Sequence, residues 1–326
     1  MSNIFVYFSF LTKIGCCLTL LTNSFLIYLT VVHIKMIVGV YKYMIIIFSL
    51  LGITFSIIEQ FARPYIHNYN KGIIFFSFGW DGVPEDVMQT GLVVYALFYV
   101  LIVAFVAVQF VYRYVTLISP ELCTKFEGFG VMVWGSYPLI VGTLNGLSIF
   151  IMAYPDKFGD EYMRGAILDV YDLSISKVSR LLIIPYDEED HIRWLNLVYL
   201  FSGSFCLLSQ YSIIVFCGLR MQSQMQKELQ KFSVPNRKLQ KQFFKALVIQ
   251  IIVPTVIFVF PSTPILLVPL LNIEISVQSG AICSLLSLYP PIDSLVFMIV
   301  VSEYRKVITK RCSAKTHNTP LHYITV

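Results

Sequence analysis

A bundle of seven membrane-spanning α-helices with its N-terminus outside is the fold class this sequence predicts, and three observations predict it. Seven apolar runs are each long enough to cross a bilayer, which takes about 20 residues. The chain is 57% hydrophobic and only 13% charged over 326 residues, with a mean hydropathy of +0.73. That is about half the charge of an average soluble domain and more apolar side chain than one core can bury. Its basic residues, finally, are distributed unevenly between alternate loops.

The spans lie near residues 10–32, 43–61, 91–112, 129–154, 194–219, 246–271 and 279–302. No basic n-region and no small-residue cleavage site flank the first run, so it reads as a retained span rather than a signal peptide. Residues 1–302 then form the seven-span domain, and 303–326 a short amphipathic helix and tail. On one side the connections His33–Lys42, Arg113–Glu127, Arg220–Lys245 and the tail from Glu303 hold two, two, seven and five Lys/Arg, sixteen together. The other side holds eight. The positive-inside rule therefore puts the tail in the cytoplasm and the N-terminus outside.

Two connections carry further information. The outer one, Asp156–Arg193, is the longest and holds nine acidic residues, including Asp187-Glu188-Glu189-Asp190. A run of this kind reads as a solvated face. No cysteine lies between Lys125 and Trp194, so no disulfide can tether this loop, and packing alone or mobility is expected. The inner connection is rich in helix formers around Met221–Gln230, which extends the fifth span into the cytoplasm, and Ser233-Val234-Pro235-Asn236 supplies its break.

The formal charge of +5 gives no case for nucleic acid. Seven cysteines show no metal-ligand spacing, so neither a metal nor a cofactor is expected. Walker A, dinucleotide-binding, HExxH and GxSxG patterns are missing, which argues against an enzyme. Polar and proline residues inside apolar spans are the candidates for function, because each costs free energy there unless satisfied by protein or water. In the second span Glu59 and Arg63 stand at i,i+4. They read either as an ion pair on one helix at the interface, or with Glu59 facing the bundle as a pocket or gating acid. In the third span Tyr95, Phe98, Tyr99 and Ile102 share a helical stripe that ends in Tyr112-Arg113-Tyr114. Arg113 reads as a snorkelling anchor or as the pivot of an interhelical latch. Pro254 is a kink candidate in the sixth span. In the seventh, Pro290, Pro291 and Asp293 break an otherwise apolar run before Glu303-Tyr304-Arg305-Lys306. That last turn and Lys310-Arg311-Cys312 form a basic amphipathic segment suited to anionic headgroups, with Cys312 a palmitoylation candidate.

The order of these pieces resembles the Str class of nematode serpentine chemoreceptors, the class of the diacetyl odorant receptor. The matching stretches are Glu59, Pro64 and His67 closing the second span, Tyr112-Arg113-Tyr114, the run Leu239–Gln250 with Pro254, and Tyr289-Pro290-Pro291-Ile292-Asp293 followed by Tyr304-Arg305-Lys306. The likeness covers nearly the whole chain. One departure is local: Ser294 stands where the class commonly has proline after the aspartate. The resemblance implies a GPCR-like fold in the plasma membrane of a sensory cilium, a small organic ligand, and a heterotrimeric G protein. Tyr95, Phe98, Tyr99, Phe258, Leu285 and Tyr289 are then the pocket candidates, and Glu59, Arg113, Pro254, Pro290, Pro291 and Asp293 the switch candidates. Tyr114, Arg220, Lys238, Lys241, Lys245, Tyr304 and Arg305 are the expected G-protein contacts. Two other classes compete. A seven-span ligand-gated channel requires the N-terminus inside, and a small-solute transporter would use Glu59 and Asp293 as coupling acids.

Overall fold

The computed structural model describes residues 3–316 except 36, 38, 119, 232, 233 and 278; the side chains of 3–6, 120, 231, 235, 236, 258, 281 and 311–316 also lie outside the description. Among the described residues six helices are long and apolar enough to cross a membrane, and a bent pair, taken as one span, makes a seventh. The spans are α1 (Asn3–Tyr28, continued by a π-helical turn to His33), α2 (Val40–Ala62), α3 (Glu85–Ile118), α4 (Phe129–Met152) and α6 (Trp194–Glu228). The bent sixth span is α7 (Val234–Pro254) and α8 (Phe260–Leu270). The seventh is α9 (Gly280–Leu286) followed by α10 (Tyr289–Val300). Helix α6 continues past the predicted end at 219, as its helix-forming composition anticipates. Helix α3 extends beyond the predicted 91–112 at both ends, and at its start Glu85 and Asp86 suit a helix N-terminus electrostatically.

Helix α3 is the central column. Of its most apolar window 67% is buried, against 22% for α4 and α6, whose remaining apolar surface faces outward. That difference is what a lipid solvent allows, since outward apolar side chains cost nothing in hydrocarbon. Close approach of α4 to α3 depends on glycine. A Cβ on Gly142 would sit 2.9 Å from both Leu101 Cβ and the Leu97 carbonyl oxygen.

The connections at the outer end build a small second layer. Strands β1 (Pro64–Tyr69) and β2 (Gly72–Ser77) form a hairpin whose turn places Asn70 at a φ of +47°, a conformation asparagine tolerates better than most residues. Strand β3 (Arg180–Ile183) adds to β2 in the order β1-β2-β3, antiparallel throughout. Helix α5 (Lys157–Tyr171) starts at an Asp156 cap that accepts from the Gly159 N–H at 2.8 Å. Alternation along β2 explains its unbroken apolar run: Ile73 and Phe75 join the bundle core, while Ile74 and Phe76 join a separate core with Met163, Ile167 and Tyr171. Both faces are covered, so both sets are apolar.

The long outer connection is therefore not held by packing alone, and it carries its own helix and strand. Besides the β2–β3 ladder, the Arg180 guanidinium makes two 2.6 Å bonds to the Asp160 carboxylate. Lys71 pairs with Asp190, whose carboxyl this contact holds below the usual range.

Candidate functional site

Three features line the bundle interior along one axis, beginning with an apolar cavity of about 30 Å³ between α3, α6, the bent sixth span and the seventh. Tyr99, Tyr211 and Tyr289 line it together with apolar residues that include Ile102, Val106, Pro254 and Leu286. Of the predicted pocket residues, Tyr99 and Tyr289 line it. Tyr95 stands behind, its ring stacked on Phe55 at 4.9 Å, and Phe98 packs against the core. Leu285 does not line it: the phase of α9 turns this side chain outward, 36% exposed, and presents Leu286 instead. The Phe258 side chain lies outside the described residues. Pro254 meets the cavity where α7 passes into a π-helical turn, Thr255–Val259, and the two halves of the span bend by 49°. A proline that removes an intrahelical donor and crowds the preceding turn accounts for a break at this point.

Below the cavity is a buried polar cluster. Pro290 and Pro291 fall in the first turn of α10, where the backbone N–H groups have no intrahelical acceptor, so neither ring forfeits a hydrogen bond. The break precedes them, at Ser287-Leu288. Asp293, 4% exposed, accepts from Gln250 Nε2 at 3.0 Å, and its second oxygen has no partner among the described residues. One residue on, Ser294 Oγ donates to Asn23 Oδ1 at 2.7 Å, and Asn23 Nδ2 reaches the Pro290 carbonyl at 3.4 Å. The first, sixth and seventh spans thus meet through side chains beside a cavity of about 10 Å³, roughly the space one water needs.

At the inner end Arg113 is buried, 5% exposed. Its guanidinium lies over the Tyr41 ring at 3.2 Å and the Phe243 ring at 4.1 Å, and Nη1 donates to Gln240 Oε1 at 3.0 Å. These contacts tie α3 to α2 and α7, with cation–π contact doing part of the holding. The adjacent Gln242 Oε1 accepts from the Ser302 N–H and hydroxyl, both at 3.0 Å, fixing the start of α11 (Ser302–Thr316). Around this end Arg220, Lys238, Lys241, Lys245 and Arg305 are exposed, and Tyr114 is half-buried beside Phe216. Tyr304 departs from its expected role as a contact residue. Its ring is fully buried against Phe297 and its hydroxyl pairs with Thr30 Oγ1 at 2.8 Å, so in this conformation it ties α11 to α1. The Cys312 side chain lies outside the described residues.

Glu59 and Arg63 do not form the i,i+4 pair. Helix α2 ends at Ala62, and Arg63 adopts a left-handed conformation with φ of +45°, which carries its side chain off the helix face. It donates to the Gly79 carbonyl at 2.9 Å and lies 4.4 Å over Trp80. Glu59 faces the bundle, 2% exposed, and neither carboxylate oxygen has a hydrogen-bond partner among the described residues. Sequence reading missed Asn23, Tyr211, Gln240 and Gln250. Asn23 and Gln250 had a signal, each an uncharged polar residue inside a spanning run; Tyr211 and Gln240 had none, because partners on other helices assign their roles.

A seven-helix bundle with a bent sixth span and a proline-broken seventh span defines a protein with the fold of G-protein-coupled receptors. A crystal structure of squid rhodopsin matches it with a TM-score of 0.63 at 12% identity, covering 94% of this chain and 85% of that one. A model of the family described as serpentine type 7TM GPCR chemoreceptor Str matches residues 8–309. The chain is 41% identical over 317 residues to the G-protein coupled receptor str-33 of Caenorhabditis elegans, covering 95% of this chain and 90% of the relative. It is 27% identical to the serpentine receptor class r-10 of the same organism, covering 90% and 88%. The chain belongs to the Str family of serpentine chemoreceptors.

Proposed function

We propose that this receptor detects a small organic molecule in the cavity lined by Tyr99, Tyr211 and Tyr289 and signals through a heterotrimeric G protein from the membrane of a sensory cilium, without catalysing a reaction. The observation that carries the reading is the position of the cavity at the Pro254 break, directly above the Gln250–Asp293 bond. At about 30 Å³ the closed cavity has room for about two waters. A molecule of several carbons has to widen it. Widening moves α8 against α3 and α6, so such a ligand binds the opened packing better than the closed one. That difference in affinity is the only quantity by which a ligand shifts a conformational equilibrium. Movement of α7 would stretch the Arg113–Gln240 latch and uncover a cleft among Arg220, Lys238, Lys241, Lys245 and Arg305, a basic surface for a G protein.

The test is a chemical panel screened by calcium or cAMP signals in cells expressing the chain, with mock-transfected cells beside them. A compound that evokes a response only with the receptor, and loses it with Asp293→Ala or Arg113→Ala at equal surface expression, is the expected result. A response that survives both substitutions unchanged refutes the proposed wiring.

A further inference from the structure

The outer ends of α1, α2 and α9 and strand β1 enclose another cavity, of about 40 Å³, that the apolar pocket does not reach. Glu59 lines it, and the acid's two unpartnered oxygens are the anomaly to be explained. Burying a carboxylate costs several kcal/mol unless a cation or donors compensate. Neither of the two cations on the cavity wall compensates it. Arg63 is turned onto Trp80 and the Gly79 carbonyl with Asp81 nearby, and Lys13 is exposed and makes no bond to Glu59.

Gln60 also lines the cavity, its Nε2 a donor without a partner among the described residues, but most of the remaining wall complements a cation. Phe8, Tyr65 and Trp80 supply aromatic surface, which attracts an ammonium through the ring quadrupole. Thr12 Oγ1 donates to the Ser9 carbonyl at 3.0 Å, which leaves its lone pairs free to accept, and Ser284 adds a second hydroxyl. An ammonium group has three donors and no acceptor. Two carboxylate oxygens, which the Glu59 side chain must turn into the cavity because both are closed off from it here, and a hydroxyl would satisfy all three. An ammonium with its adjoining carbon also matches the available room, leaving the rest of the molecule at the mouth beside Trp80, which is 46% exposed.

We infer that this outer cavity binds small primary ammonium compounds, with Glu59 as their counter-ion. The site is separate from the tyrosine-lined cavity, and its occupation does not require that the receptor signal. The experiment uses the full chain in lipid nanodiscs and ligand-observed NMR with butylammonium and 1-butanol, which share a carbon skeleton. Butylammonium is expected to bind at least about tenfold tighter than 1-butanol. Glu59→Gln, folded by its melting curve, is expected to erase that preference, and Glu59→Asp to retain a weaker one. Glu161→Gln, an exposed residue on α5, leaves it intact.

Three results would overturn the inference. They are equal binding of the two probes, no binding of butylammonium to the folded receptor at about 10 mM, or a preference that Glu59→Gln does not change. Butylammonium binding without a cellular response to any compound would count against the signalling reading alone. A cellular response to other compounds, without ammonium preference, would count against this site alone.

Discussion

The latch at the inner end makes a prediction whose size follows from its geometry. Arg113 Nη1 donates to the neutral oxygen of Gln240 at 3.0 Å, from a side chain only 5% exposed. Gln240→Glu replaces that acceptor with a charged one of nearly the same shape. The present bond is already charge-assisted through the guanidinium, so what an ionised acceptor adds is ion-pair attraction, offset in part by the desolvation of its own charge. Gln240 is itself only half-buried, so solvent screening leaves a gain of about 1 kcal/mol. Such a gain multiplies the ratio of latched to unlatched receptor about fivefold, and basal and ligand-evoked signalling fall accordingly. Gln240→Leu acts in the opposite direction, because it leaves a buried guanidinium with one fewer acceptor, and raises basal signalling. The assay is cAMP or calcium output at matched surface expression, paired with spin-label distances between the inner ends of α3 and α7. A double-mutant cycle with Arg113→Leu isolates the coupling. Unchanged or increased output and distance in Gln240→Glu would refute the latch.

Three further outcomes follow from other parts of the fold. Burial holds the His67 imidazole down at about 4, from an ordinary 6.5, beside the Tyr171 hydroxyl at 3.0 Å. The unfolded outer layer then binds the proton that the folded layer refuses. Its stability is constant above about pH 6.5 and declines toward pH 4, so hydrogen exchange of β1–β3, corrected for intrinsic rate, accelerates across that window in the native chain and not in His67→Gln. Gly142→Leu forces α4 off Leu97 and Leu101, at a cost of about 1–3 kcal/mol or more; reduced surface expression and a lower melting temperature are expected, whereas Gly135→Ala, with open space around it, is neutral. Ser294→Ala strands Asn23 Oδ1 in the core and costs about 1–2 kcal/mol, read as a melting shift that Ser294→Ala adds to wild type but not to Asn23→Leu.

The spans were legible because their physics is one-dimensional. About 20 consecutive apolar residues have few alternatives to a spanning helix, and loop lysines and arginines report orientation without reference to neighbours. The outer layer was not legible in the same way. Its key strand, Gly72–Ser77, is covered by the bundle on one face and by α5 on the other, so it shows no alternation to mark it as a strand. The hairpin's Asn70-Lys71-Gly72 turn was the available sign. Residue roles divide along the same line. Pro254 and Asp293 announced themselves by their cost in hydrocarbon, which requires no knowledge of partners. The Glu59–Arg63 spacing misled because i,i+4 pairing presumes a helix through both residues, and α2 stops between them. Leu285 and Tyr304 turned on rotational phase, a matter of about 100° per residue in a helix, which a broken seventh span leaves undetermined.

The seventh span shows how an unfavourable residue and an unfavourable segment can offset one another. Asp293 alone in hydrocarbon would cost several kcal/mol. A double proline in mid-helix would cost about 3 kcal/mol or more through lost bonds and clash. Placing the prolines in a helix first turn removes most of the second cost, because the donors they lack had no acceptor there. Ending α9 at Leu286 creates that first turn, and Asn23 and Gln250 arrive from other helices to meet the Pro290 carbonyl and the Asp293 carboxylate. Serine at 294 then has a specific use. A proline could not donate to Asn23, so here a hydroxyl bond to the first span at 2.7 Å stands where the class commonly has proline. The break stays confined to Ser287-Leu288, and α10 runs unbroken to Val300 between the cavity and the Phe297–Tyr304 contact. In the proposed switch this helix would transmit displacement only if its upper joint can move. The unpartnered Asp293 oxygen and the adjoining space of about 10 Å³ would leave room for that, because the joint is held on one side by Gln250 and open on the other among the described residues.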